Sequence, residues 1–179
     1  MNIILDISDF QLGYLYFLPP KQNIIMDGTF SKIIYSNESF SLNSVYLHLP
    51  FEILSIEKMG SKNIVKLIGE SKANVTLMQN LCRIENRILE YYKQTHPNKA
   101  SKNMASSLCK QLSSGSLKLY KDYYMGHDQL KSSLQFILKI SGIWESHSDI
   151  GMTYKIIEYV NEGTPLGGTP GSPQRREAP

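Results

Sequence analysis

Residues 77–91 read LMQNLCRIENRILEY, and this stretch decides how the rest of the chain is interpreted. Its apolar residues recur at spacings of four, three, four and three, the period of one face of an amphipathic α-helix. They are Leu77, Leu81, Ile84, Ile88 and Tyr91, with Arg83, Arg87 and Glu90 on the outer face. We expect the helix to end near Thr95, because His96 precedes Pro97 and a residue before proline avoids the helical conformation.

The chain before this helix has the short apolar runs and turn residues of β-strands. Residues 44–49 alternate between apolar and polar positions, which predicts a strand with one buried face. Residues 51–57 and 63–68 flank Met59-Gly60-Ser61 and predict a hairpin. Two further strands are expected over residues 12–18 and 30–36, bounded by the turn sequences Pro19-Pro20 and Asp27-Gly28.

The chain after this helix contains a second, shorter helical stretch and then returns to strands. A second, shorter helix is expected over residues 101–112, and residues 117–125 fit either a strand or a helix. Residues 134–140 and 151–160 are apolar and partly β-branched, so we expect them to form a closing hairpin. Gly142 interrupts the first of these strands in a way that suits a β-bulge or a close approach of another backbone.

Strands, then helices, then a closing hairpin is the order of an α+β protein. We predict a single α+β domain over residues 1–162, mainly a β meander with a helical insertion. An OB-like barrel is favoured, because that fold carries its helix between the third and fourth strands, and an α+β sandwich stays open. Residues 163–179, GTPLGGTPGSPQRREAP, are expected to form a flexible Gly/Pro-rich tail that is either native or derived from a tag.

The net charge of +3 over 179 residues hides an uneven distribution. Residues 1–57 hold two basic and six acidic side chains, whereas residues 58–131 hold thirteen basic and five acidic ones. Lysines interleaved with aromatic residues suit a single-strand binder, since ammonium groups contact phosphates and rings stack on bases. The alternative is an ordinary solvated face with tyrosines in the core, and for Trp144 packing in the core is favoured over a role in stacking. The candidate nucleic-acid-binding residues are Lys93, Lys99, Lys102, Lys110, Lys118, Tyr120, Lys121, Tyr123, Tyr124 and Trp144.

The remaining motifs argue against several classes of protein. Cys82 and Cys109 lie in apolar-periodic stretches without CxxC spacing, so we expect buried free thiols in a protein of the cytoplasm or nucleus. The chain contains no run of about 18 uncharged apolar residues, so we expect no membrane span. The N-terminus lacks the basic region of a signal peptide, so we do not expect one. Asp6 and Asp9 lack a companion metal-binding motif, and no Walker loop, dinucleotide fingerprint or nucleophile elbow occurs. We therefore expect neither an enzyme nor a cofactor.

Two stretches carry a family resemblance. Residues 30–36 (FSKIIYS) with 40–43 (FSLN), and residues 136–145 (FILKISGIWE) with 151–155 (GMTYK), resemble small proteins predicted in large DNA viruses and virus-like mobile elements. The resemblance implies single-stranded DNA binding in viral replication and transfers no individual site residue. We expect a non-enzymatic, nucleic-acid-binding protein of viral or mobile-element origin. The alternative is an assembly protein that forms a homo-oligomer, with the acidic part of one copy against the basic part of the next.

Overall fold

The computed structural model describes residues 3–25, 27–60, 62–120 and 134–160. Over these residues it is an α+β structure made mostly of strands, with two α-helices and a curled, half-barrel sheet, which confirms the predicted α+β class. The helices are α1 (Lys72–Thr95) and α2 (Ser107–Ser113). The strands are β1 (Leu15–Phe17), β2 (Lys21–Gln22), β3 (Thr29–Ser36), β4 (Ser41–Leu42), β5 (Val45–Leu49), β6 (Ile53–Met59), β7 (Lys62–Leu67), β8 (Asn103–Ala105), β9 (Ser116–Tyr120), β10 (Leu134–Glu145) and β11 (Asp149–Val160). The predicted tail, residues 163–179, lies outside the described residues.

The closing hairpin forms the centre of the larger sheet. β10 and β11 pair antiparallel from end to end, which confirms the predicted hairpin. On its other edge β10 pairs with two strands of the N-terminal half, β3 along residues 142–145 and β5 along residues 136–140. β1, β2 and β4 pair with β3, and β8 runs parallel to the start of β11. The main neighbours in this sheet are therefore distant in sequence, unlike those of a simple meander.

Gly142 lies at a β-bulge, as its position in the sequence indicated. The pairing of β10 with β11 shifts register between Ile140 and Gly142. A Cβ atom at residue 142 would lie 2.4 Å from the carbonyl oxygen of Ser31 and 2.4 Å from the ring of Phe30. Glycine is needed here because the backbone of β3 leaves no room for a side chain.

The smaller sheet contains β6, β7 and β9, all antiparallel. β6 and β7 form the predicted hairpin. Of the stretch 117–125, which fitted either structure, residues 117–120 belong to β9, and residues 121–125 lie outside the described residues. Val65, Leu67, Leu117 and Leu119 are buried and attach the inner face of this sheet to the core of the protein.

Helix α1 matches its prediction closely. Its N-cap residue Ser71 accepts a hydrogen bond from the N–H of Asn74, and the helix ends at Thr95, before the His96-Pro97 pair. The predicted apolar face is buried or half-buried and packs into the core, whereas Arg83 and Arg87 are exposed.

Two expected elements are shorter than the sequence indicated. Residues 103–105 are not helical, because they pair with Asp149, Ile150 and Gly151 as β8, so α2 covers only Ser107–Ser113. Similarly, Leu12–Tyr14 forms a 3-10 turn and leaves only Leu15–Phe17 as β1. In the first case the hydrogen-bonding capacity of a distant strand overrides the local helical pattern.

The prediction of two free thiols is wrong, because Cys82 and Cys109 form a disulfide. Cys82 lies in α1 and Cys109 in α2, 27 residues apart in sequence and 4.9 Å apart between Cα atoms. The packing of α2 against α1 creates this proximity, which sequence spacing alone does not show. Since disulfides occur mainly in oxidising compartments, the cysteines no longer support a cytoplasmic or nuclear location.

A contiguous hydrophobic core joins the two sheets and the two helices. It contains Leu47 and Phe136 from the larger sheet, Val65 from the smaller sheet, Leu81 from α1 and Leu108 from α2. Over the described residues, no helix combines the length and apolarity needed to cross a membrane.

Candidate nucleic-acid interface

Two of the candidate lysines converge on the end of β10, and a third contacts the segment that carries them. The ammonium groups of Lys99 and Lys102 lie 2.5 Å and 2.7 Å from Oε1 of Glu145. Lys102 also donates to the carbonyl of Ser146, and Lys93 donates to the carbonyl of Lys102 at 2.8 Å. All three ammonium groups therefore have internal partners: Lys99 and Lys102 attach the segment after α1 to the closing hairpin, and Lys93 attaches that segment to α1.

The environment of Glu145 shows how strong this arrangement is. Its side chain is only 7% exposed, and those of Lys99 and Lys102 are 19% and 16% exposed. Burial by itself would raise the pKa of Glu145, but the hydrogen bonds and charges of the two lysines outweigh burial and lower that pKa. The carboxylate therefore neutralises part of the positive charge that the sequence assigned to phosphate binding.

The aromatic residues near this cluster are also occupied by packing. Tyr92 is fully buried, its hydroxyl lies 3.0 Å from Oγ of Ser31, and burial raises its pKa. Trp144 is half-buried, and its indole covers Gly151, where a Cβ would lie 2.4 Å from the ring. Trp144 is thus a packing residue of the closing hairpin with part of its surface accessible.

The remaining candidates lie on or after the last turn of the helical segment. Lys110 in α2 and Lys118 in β9 are exposed, and Tyr120 is the last residue of β9. Lys121, Tyr123 and Tyr124 lie outside the described residues. Lys118 is the candidate that belongs to a larger basic surface.

The outer face of the smaller sheet collects lysines from two strands. In the register of β7 with β9, Ile64 pairs with Lys118, Lys66 pairs with Ser116, and Lys62 pairs with Tyr120. Residues that pair directly across a sheet lie on the same face, and alternate residues of a strand share that face. Lys62, Lys66 and Lys118 therefore lie on one side of the sheet, which we call the basic face.

β6 adds an acidic and an apolar residue to the basic face. Glu57 pairs with Ile64, and its carboxylate lies 2.6 Å from the ammonium of Lys66. Both side chains are about half exposed, so this ion pair contributes little to stability. Met59 pairs with Lys62 and is 63% exposed, which gives the face an apolar patch beside its charges.

Sequence reasoning missed Lys62 and Lys66, although a signal for them exists. The predicted strand at residues 63–68 alternates, with Lys66 on the side opposite Val65 and Leu67. Pairing that strand with β9 would have placed Lys66 and Lys118 on the same face of a sheet. The pairing of β7 with β9 crosses both helices in sequence, so local patterns do not provide it.

The described residues contain no cluster of three or more His, Cys, Asp and Glu side chains that could hold a metal ion. Asp6 lies 3.7 Å from Nδ1 of His48, an interaction that is ionic only when the histidine is protonated. Comparison with protein-family models, curated proteins and solved structures finds no match for this chain.

Proposed function

We propose that this protein binds single-stranded nucleic acid, most favourably DNA, on the basic face of the smaller sheet. The observation that carries the proposal is the register of β7 with β9, which places Lys62, Lys66 and Lys118 on one surface. The buried residues on the opposite side of the same strands fix the sheet to the core, so the surface is preorganised. The protein acts by binding and needs neither a cofactor nor a catalytic group.

The chemistry of the face matches a flexible polyanion. Lys62 and Lys66 are four residues apart on β7, which is about 13 Å along a strand, and Lys118 is opposite the residue midway between them. Three ammonium groups in this arrangement can contact successive parts of a phosphate backbone. Ile64 and Met59 offer apolar surface to sugars and bases between the charges.

Aromatic stacking is the second part of the proposal. Tyr120 ends β9 at the pairing position of Lys62, and Lys121, Tyr123 and Tyr124 follow it in sequence. The three tyrosines stay predicted stacking residues, and Lys121 stays a predicted phosphate contact. Stacking of a base on an aromatic ring is worth about 1–3 kcal/mol in single-strand binders. In this proposal the main role of Lys93, Lys99 and Lys102 is to stabilise the fold. Lys110 adds to the positive electrostatic potential around the basic face.

The finer expectations from the sequence remain proposals of the same kind. The preference for DNA, the role in replication and the viral or mobile-element origin rest on the resemblance of residues 30–36 and 136–145. An OB-like closure is proposed only for the curled larger sheet, and the basic face lies on the other sheet.

The test is a fluorescence-anisotropy titration of a labelled oligothymidylate with the full chain. We expect binding that weakens at least tenfold in the double variant Lys66→Glu/Lys118→Glu. The matched control is Lys32→Glu/Lys72→Glu, which changes the net charge equally at two exposed lysines that lie in β3 and α1 and not in the smaller sheet. Absence of binding by the unmodified protein, or an equal loss in the two double variants, would contradict the proposal.

A further inference from the structure

The hairpin between β2 and β3 carries an unusual tip. The N–H of Asn23 donates to the carbonyl of Gly28 at 3.0 Å, and the N–H of Ile25 donates to Oδ1 of Asn23 at 3.0 Å. These bonds close a turn in which Ile24 is 100% exposed and Ile25 is 95% exposed. Asp27 is exposed beside them. We call the described residues of this turn, 23–25 and 27–28, the hairpin tip.

The hairpin tip is held out from the protein by its base. Gly28 has a φ of 130°, and a Cβ there would lie 1.8 Å from the carbonyl oxygen of Glu145. The base is therefore pressed against the end of β10, with no space for any residue except glycine. Turn positions normally carry polar residues, so two adjacent exposed isoleucines on an anchored turn indicate a contact surface.

A surface of complementary character lies between α1 and α2. It is a groove of about 660 Å³, within the range of small-ligand pockets. Val75, Met78, Leu112 and the Cys82–Cys109 disulfide provide its apolar lining. The groove is thus an apolar surface that α1 and α2 leave uncovered.

The rim of this groove carries two arginines. Arg83 and Arg87 are one helical turn apart on α1, and in the described part of the chain neither forms an ion pair. Arg83 donates to Oδ1 of Asn80 at 3.1 Å, and Glu90 lies on the same rim, so the rim carries a net charge of one positive unit. Arginine is well suited to a carboxylate partner, because its planar group can donate two parallel hydrogen bonds.

We propose that the hairpin tip of one copy of this chain docks into the α1–α2 groove of a second copy. Ile24 and Ile25 cover the apolar lining, and the carboxylate of Asp27 pairs with Arg83 or Arg87. The tip does not occupy the groove of its own chain, since both isoleucines are almost fully exposed. This contact is independent of nucleic-acid binding, because it uses neither face nor side chains of the smaller sheet.

The contact joins two unlike surfaces, a tip and a groove, so it permits two kinds of assembly. When one tip enters one groove, the pair keeps an unoccupied tip and an unoccupied groove, and further copies add to form open chains or closed rings. When each copy places its tip in the groove of the other, the pair is an isologous dimer and stops at two copies.

The first experiment is sedimentation velocity of the full chain at low salt over a range of concentrations. We expect the average mass to rise with concentration, and the association constant to fall at least tenfold in Ile24→Ser/Ile25→Ser. The matched control Leu54→Ser/Met59→Ser removes two other exposed apolar side chains and should associate like the unmodified protein. A strict monomer at every concentration, or equal effects of the two double variants, would overturn the proposal.

The second experiment tests the pairing of the tip with the groove. The variant Ile24→Ser/Ile25→Ser has an intact groove, and the variant Arg83→Asp/Arg87→Asp has an intact tip. Each variant alone should be monomeric. Their mixture should form a one-to-one pair and nothing larger. Asp27→Arg combined with Arg83→Asp/Arg87→Asp should restore association. A mixture that stays monomeric, or a tip that binds anionic lipid vesicles and no second copy, would contradict the proposal. Oligothymidylate binding should be unchanged in the tip variant, which separates this outcome from a failure of the proposed function.

Discussion

The ammonium of Lys102 lies 2.7 Å from Oε1 of Glu145, the last residue of β10 and 43 residues further along the chain. Lys99 meets the same oxygen at 2.5 Å. Two lysines that composition assigns to a phosphate-binding field are therefore largely engaged in fixing the segment after α1 to the closing hairpin. Among the candidate lysines of the described residues, Lys110 and Lys118 are the exposed ones, and Lys118 lies on the smaller sheet.

Replacing Glu145 with Gln should destabilise the fold strongly. The substitution keeps the shape of the side chain but leaves two poorly exposed ammonium groups without their counter-charge, and breaking such a pair costs about 3 kcal/mol. The control is Glu57→Gln, which removes the half-exposed partner of Lys66 and should cost less than about 1 kcal/mol. Urea denaturation measures both, and equal losses would show that the Glu145 cluster is not a structural ion pair.

The contribution of Glu145 should disappear in acid. Its pKa is lowered in the folded protein, so its stabilisation is complete above the ordinary carboxyl pKa of about 4.3 and is lost as pH falls through the folded pKa. The difference in unfolding free energy between the unmodified protein and Glu145→Gln should therefore narrow below pH 4. Glu85 and Glu158, whose pKa values burial raises, are present in both proteins and cancel in this difference. A difference that stays constant in urea titrations down to pH 3 would contradict the assignment.

Loss of the disulfide should lower stability without abolishing the fold. The bridge closes a loop of 27 residues, for which chain entropy gives about 3.5 kcal/mol. Glu85 should keep α2 in place, since its carboxylate accepts the N–H groups of Leu108 and Cys109 at 3.0 Å and 2.8 Å. Thermal unfolding of Cys82→Ser/Cys109→Ser tests this, with a reductant expected to destabilise the unmodified protein and leave the variant unaffected. A midpoint that does not respond to reductant in either protein would be inconsistent with the bridge.

Two glycines of the closing hairpin should not tolerate alanine. At Gly142 the new Cβ would meet the backbone of Ser31, and at Gly151 it would meet the indole of Trp144, each at 2.4 Å. We expect each to cost about 3 kcal/mol, and Gly151→Ala to shift the fluorescence of the single tryptophan. Gly13→Ala is the control, as nothing lies within 4 Å of its Cβ position. Unchanged emission and stability in Gly151→Ala would contradict the packing of Trp144 on this strand.

Nucleic-acid binding should depend on salt in proportion to the lysines used. For single strands the slope of log affinity against log salt is about −0.7 per neutralised phosphate, so Lys118→Ala should make the slope shallower by about 0.7. Lys99→Ala should leave the slope unchanged, because its ammonium already pairs with Glu145. Oligothymidylate titrations at several salt concentrations distinguish the two. If Lys99→Ala changed this slope more than Lys118→Ala, the nucleic-acid interface would lie on the segment after α1 and not on the basic face.

The sequence by itself determined those features whose signal is local. The stripe from Leu77 to Tyr91 predicts the buried face of α1, because a helix brings residues three and four apart to one side. The alternation of Val45, Leu47 and Leu49 likewise predicts β5, whose three residues are buried. The apolar runs around Gly142 predict the closing hairpin and its bulge, and together these elements give the α+β class.

Only the tertiary structure decided which of these elements meet. β10 pairs with both β3 and β5, α2 packs on α1 so that Cys82 reaches Cys109, and β9 crosses back to β7. These long-range contacts place the ammonium of Lys102 in a poorly exposed ion pair with Glu145, whereas the side chain of Lys118 is exposed. Periodicity tells which side of an element is apolar, but it does not tell which other element covers that side. The position of the basic face therefore depended on strand pairing between residues far apart in the chain.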